Sequence, residues 1–162
     1  MATNNAINQS AAGYVVYNGT GTFSGRTFQA GTGISLTNAD GTAGNTTIAV
    51  TGGGLTWVVV SGTTQAMAVN TGYTVNNGSL VTLTLPSSAA VGDTIVVSGL
   101  GAGGWTIAQN ASQLIHVGAV ATTTGVGGSI ASTNRYDAIT FTCVVANNEW
   151  ITRATVGNLT IV

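Results

Sequence analysis

Apolar residues recur at every second position in short runs along this chain. Val81, Leu83 and Leu85 alternate with Thr82 and Thr84, and Pro86 stops the run. Ile139, Phe141, Cys143 and Val145 share one parity, as do Trp105 and Ile107. Ile34 with Leu36, and Ile48 with Val50, repeat the pattern on a smaller scale. A period of two places alternate side chains on one face of a β-strand. The continuous runs Trp57-Val58-Val59-Val60 and Thr94-Ile95-Val96-Val97 are strand-sized too.

The pattern predicts strands over 14–17, 22–30, 55–61, 65–69, 81–85, 94–98, 105–109, 114–117 and 157–162. Two more fall around Ile34-Leu36 and Ile48-Val50, and 138–145 with 149–153 read as a hairpin about Asn147-Asn148. Turn chemistry lies at Asn18-Gly19, Asn38 to Gly41, 75–79, the glycine cluster 99–104 and the loop 122–129. Glycine, threonine, asparagine, valine and serine at every few positions disfavour long helices, and only 86–90 tolerates a single turn. Short strands with frequent turns predict an all-β protein. We expect a β-sandwich or jelly-roll-like head domain over 55–162 and an extended β connector or shaft over 1–54, hinged near Gly52-Gly53-Gly54.

Composition changes the picture in one respect. Charged residues make up only 4% of the chain, against about 25% in an ordinary soluble domain. Lysine is absent; Arg26, Arg135 and Arg153 are the only cations, and Asp40, Asp93, Asp137 and Glu149 the only acids. Such a chain has few means of blunting sheet edges or covering apolar patches, so we expect it to be homo-oligomeric. The thin strands of 1–54 read as intertwined between chains. Net charge is −1, which disfavours nucleic-acid binding. No apolar run approaches the roughly 18 residues of a membrane-spanning helix. Residues 1–12 lack the basic start and apolar centre of a secretory signal, so export by the general secretory route is not expected.

Residues 31–41, GTGISLTNADG, followed by Gly44-Asn45-Thr46-Thr47-Ile48, resemble the linker and shaft motif of bacteriophage tail fibres. The C-terminal part is similar to the globular β domain at the ends of such fibres, which is repeated in some bacterial surface proteins. It carries Leu85-Pro86, Val91-Gly92-Asp93-Thr94, Gly103-Gly104-Trp105, Ile107-Ala108-Gln109-Asn110, Ile115-His116 and Asn147-Asn148-Glu149-Trp150. The resemblance implies a trimeric fibre protein with a role in attachment or virion structure, located on a virion or on an extracellular fibre.

Motifs that could carry chemistry each have a plainer reading. Residues 99–104 fit G-x-G-x-x-G, but no helix opens after them and no acid follows at the distance a ribose requires. A tight turn with close backbone approach accounts for them better. His116 alternates with Ile115 and Val117 on a strand, which suits a surface or structural role; three copies about a threefold axis would be needed for a metal site. Cys143 reads as a small buried hydrophobe and leaves no partner for an intrachain disulfide. Asp40-Gly41 reads as a turn rather than a calcium loop. The four acids sit on separate turns, which disfavours paired-carboxylate glycoside hydrolysis. Trp57, Trp105 and Trp150 at strand spacing are core or interface residues more readily than sugar-stacking platforms. Sequons such as Asn77-Gly-Ser and Asn110-Ala-Ser are expected by chance in this composition.

The candidate ligand or subunit contacts are Trp105, His116, Asn134, Arg135 and Tyr136, with Arg135 and Asp137 as a local ion pair. The loops 99–104, 122–129 and 134–137 are the exposed candidates for a host surface glycan. No catalytic residue, metal or cofactor is expected. Two further readings stand beside the trimeric fibre. One is a self-polymerising filament joined by β-strand addition; the other is an enzyme such as a glycan depolymerase using Asp93 or Asp137.

Overall fold

The computed structural model describes the backbone of 14–17 and 23–26, residues 28–39, Ala43, residues 45–50 and residues 54–162. Asp40 and Gly41, read above as turn residues, lie outside the described residues, as do 1–13 and most of the expected hinge. The chain divides into two compact units, Met1–Gly53 and Gly54–Val162.

Among the described residues, the first unit contains two antiparallel hairpins. Strand β1 (Tyr14–Tyr17) pairs with β2 (Phe23–Arg26), and β3 (Ile34–Thr37) with β4 (Thr47–Val50). In the second hairpin Ile34 stands opposite Val50 and Leu36 opposite Ile48, so all four side chains share one face. Ser35, Ala49, Thr37 and Thr47 share the other. Asn38, in the left-handed region at φ 55°, starts the turn, and its Oδ1 accepts from the Ala43 N–H at 3.0 Å.

The second unit is a two-sheet sandwich, as the alternating runs predict, but it is not wound as a jelly roll. Strands β5 (Thr56–Val60), β7 (Thr71–Val75) and β9 (Thr94–Gly99) pair in parallel in one sheet. Strands β6 (Thr64–Ala66), β8 (Val81–Thr84) and β10 (Trp105–Ala108) pair in parallel in the other. The chain therefore crosses from sheet to sheet at each step and completes three coils of a parallel β-roll. Each crossover that a parallel pair requires is itself a strand.

The rest of the chain closes the roll with β11 (Leu114–Val117), β12 (Val120–Ala121), β13 (Ser129–Ser132), β14 (Ala138–Val145), β15 (Glu149–Val156) and β16 (Leu159–Ile161), which pair antiparallel except for the parallel pair β11–β15. The finished sheets have the orders β12-β11-β15-β14-β9-β7-β5 and β16-β13-β10-β8-β6. The expected hairpin of β14 and β15 is present. Residues 86–90 form no helix.

Register explains the core. Val58, Tyr73, Val97 and Ile139 form one row across the larger sheet, and Leu83, Ile107 and Ile130 form one across the smaller. The two inner faces meet in a single cluster that includes Trp105, Phe141 and Trp150, each 0% exposed. Phe141 and Trp150 pack edge to face with ring centroids 5.4 Å apart.

At the glycine cluster 99–104 the third coil approaches the second closely. Leu100 and Gly101 both donate their N–H to the Val75 carbonyl at 2.8 Å, and Gly103 donates to Asn77 at 3.0 Å. A Cβ on Gly103 would lie 2.1 Å from the Ser79 backbone. The motif is a backbone-packing device, as the sequence suggested.

Candidate interaction sites

Trp105 is the first residue of β10 and faces inward. Its indole N–H donates to the Asp137 carbonyl at 3.0 Å, and its backbone N–H donates to Ser132 Oγ at 2.8 Å. With 0% exposure it is a core residue and presents no face to a ligand or a second subunit.

Asn134, Arg135 and Tyr136 form the exposed turn between β13 and β14. The turn is built on a buried carboxylate: Asp137 Oδ2 accepts from the backbone N–H of Thr133 at 2.8 Å and of Asn134 at 2.9 Å. The expected Arg135–Asp137 ion pair is not formed, because the backbone donors already hold Asp137. Arg135 instead donates its Nε–H to the Leu100 carbonyl at 2.7 Å and stacks its guanidinium 4.9 Å from the centre of the Tyr136 ring. Tyr136 holds φ at 73°, an uncommon backbone state for a bulky residue, and is 59% exposed.

The turn and the glycine cluster 99–104 are thus one surface. The loop 122–129 is not part of it. Thr123 and Gly125 carbonyls accept from Gln109 Nε2 at 3.0 and 3.2 Å, beyond the far end of β10. The three loops named as glycan candidates therefore occupy both ends of the sandwich.

His116 lies on β11 and is partly exposed. Its Nε2 is 3.0 Å from Glu149 Oε2 on the neighbouring parallel strand β15. Among the described residues no group of three or more His, Cys, Asp or Glu side chains is placed to hold a metal ion. Cys143 is buried, and that burial pushes its thiol pKa up. Asp93 is engaged by Asn70 Nδ2 and the Ala90 N–H, both at 2.8 Å, as a turn acceptor.

Sequence reasoning missed the largest polar feature. Gln109, Gln113 and Thr122 are 3%, 2% and 4% exposed. Gln109 Oε1 accepts from the Thr122 hydroxyl, whose oxygen accepts from the Ile115 N–H at 2.9 Å. Gln113 donates to the carbonyls of Pro86 and Asn147 at 2.8 and 3.2 Å, and its Oε1 accepts from the Asn110 N–H at 2.8 Å. These side chains tie four loops together, and a satisfied buried network rigidifies rather than reacts. Nearby, an open cleft of about 410 Å³ is lined by Met67, Thr84, Leu85, Pro86, Ser88 and Asn110 among others, with no titratable group on its walls.

The exposed apolar residues include two groups carried on strands. On the β3–β4 hairpin Ile34, Ile48 and Val50 are 36%, 62% and 73% exposed. On the edge strand β5, Trp57 and Val59 are 57% and 66% exposed. No protein-family model matches the chain, and no curated protein matches it.

Proposed function

We propose that this is a non-catalytic structural fibre protein of a phage-like particle, a homotrimer that acts in attachment or virion structure. The observation that carries the reading is the apolar face of Ile34, Leu36, Ile48 and Val50. A lone two-stranded hairpin with one wholly apolar face is marginal in water. Faces donated by several chains about a common axis would bury each other. The number three comes from the resemblance of residues 31–48 to a fibre shaft motif.

The engagement of Asp93 and Asp137 as backbone acceptors supports a role by shape rather than turnover. The exposed turn of Asn134, Arg135 and Tyr136 is the surface on which a host glycan would be met. The test is the mass of the full chain by sedimentation equilibrium, beside the variant Ile48→Asp/Val50→Asp. At the lowest concentrations the wild type is expected at three chain masses. At the same dilution the variant is expected at one chain mass while keeping the near-ultraviolet dichroism of the sandwich. A wild type that is monomeric there, or a variant that stays trimeric at that dilution, overturns the reading.

A further inference from the structure

The roll has two open ends. Its first coil leaves β5 and β6 as edge strands, and the closing strands leave β12 and β16 as edges at the other end. Hydrogen bonding identifies the unused groups. Thr56 donates to the Asn70 carbonyl at 3.2 Å and Val60 accepts from Asn76 at 2.8 Å, so Trp57 and Val59 direct their N–H and C=O away from β7. Thr63 accepts from Thr82 at 2.9 Å and Met67 donates to Thr84 at 2.8 Å, so Thr64 and Ala66 face outward on β6. Val162 and Ser129 exchange both bonds at 3.0 and 3.3 Å, so Leu159 and Ile161 face outward on β16.

Natural sheets blunt such edges with lysine, proline, inward charge or bulges. The four edge strands here read TWVVV, TQA, VA and LTI and carry none of these residues. The core is also incompletely closed at both ends. Its partly buried members are Val58 and Val69 beside the first coil, and Val117 and Leu159 beside the last strands. Strand direction is compatible as well. From β6 to β16 the pairings run parallel, parallel, antiparallel, antiparallel, so β16 points the same way as β6. A copy shifted along the sheet brings β16 beside β6 as a parallel pair, the type that already joins β6 to β8.

We propose that the partner at each end is a second copy of this chain. Strand β16 of one roll adds to β6 of the next, and Leu159 and Val117 are buried against Val58 and Val69. The Gln65 side chain, which now donates to the Ala66 carbonyl at 2.6 Å, gives way to the incoming strand. The contact joins unlike surfaces, so it propagates as a linear stack. The rise per copy is set by the five and seven strands of the two sheets, roughly 24–34 Å at about 4.8 Å per strand. The inference concerns residues 54–162 and does not rest on the hairpin reading.

The experiment uses the full chain carrying Ile48→Asp/Val50→Asp, which removes the hairpin face whether or not that face forms trimers. In this parent, sedimentation velocity is expected to show a ladder of masses lengthening with concentration. Adding Ala66→Pro removes an outward N–H from β6 and blocks one end; adding Ile161→Pro does the same on β16 and blocks the other. Each blocked chain alone is expected to stay monomeric. An equimolar mixture is expected to give a dimer and nothing larger. A parent that never rises above one chain mass, blocked chains that still polymerise, or a mixture that stays monomeric overturns the proposal. A measurement on the unblocked parent guards against misfolded variants. The amides of Thr64, Ala66, Leu159 and Ile161 are expected to exchange at least tenfold more slowly as the ladder forms. Unchanged exchange while mass rises overturns it equally.

Discussion

The Trp105 indole N–H donates to the carbonyl oxygen of Asp137 at 3.0 Å, which ties the core to the turn that carries Asn134, Arg135 and Tyr136. Trp150 is just as deeply buried, yet its indole N–H has no hydrogen-bond partner. The two tryptophans should therefore respond differently to the same substitution. Trp105→Phe loses a hydrogen bond as well as volume; Trp150→Phe loses volume and removes an unsatisfied donor. Urea denaturation should find Trp105→Phe the more destabilising by about 1–2 kcal/mol. Equal losses would mean that the bond to Asp137 contributes nothing.

Gly103 and Gly78 separate packing from loop flexibility. A Cβ on Gly103 would sit 2.1 Å from the Ser79 backbone, whereas one on Gly78 would meet nothing within 4 Å. Gly103→Ala should destabilise by more than about 2 kcal/mol, because backbone must move to accept it, and Gly78→Ala should stay within about 0.5 kcal/mol. Thermal melts of the two variants check this directly.

Trp57 lies over Gly72 on the neighbouring strand, and a Cβ added at Gly72 would come within 2.7 Å of the indole ring. The ring is exposed and can swing aside, so Gly72→Ala should cost only about 1 kcal/mol. Once Trp57 is alanine, Gly72→Ala should cost measurably less. A double-mutant cycle reads that coupling, and strictly additive losses would contradict the contact.

Cys143 gives a pH signature. Burial raises its thiol pKa in the folded chain, assisted by the nearby Asp93 carboxylate and opposed by backbone hydrogen bonds at Asn147 and Val145. The folded state then holds the proton more tightly than the unfolded state. Its contribution is complete below the ordinary thiol pKa and is lost as pH rises through that value toward the raised one. Relative to Cys143→Ala, the wild type should lose stability on going from neutral to strongly alkaline pH. A pH-independent difference between the two proteins would refute this.

The strands legible in the sequence are those whose alternation is uninterrupted, such as Val81-Thr82-Leu83-Thr84 and the run from Ala138 to Val145. Strand β7 was hidden because Gly72 breaks its pattern and Asn76-Asn77-Gly78 follows at once, so the region reads as a turn. Strand β13 was masked by Gly127-Gly128 at its start. The parallel winding was not legible, since a period of two has no direction: Thr56 and Thr71 align only because β6 carries the chain through the other sheet. Of the candidate residues, Arg135 and Tyr136 are exposed because Asp137 anchors their turn from below. Trp105 is inside because its neighbour on β8 is Val81, a core residue. The network of Gln109, Gln113 and Thr122 leaves no local pattern, because its acceptors come from loops far apart in sequence.

The central claim is that uncharged β surfaces on this chain are completed by other copies of it. Sedimentation equilibrium of the purified wild type over a hundredfold concentration range tests that most directly. The account predicts masses at three chains or above throughout, rising further with concentration. A single species of one chain mass, unchanged at the highest concentration, would contradict it.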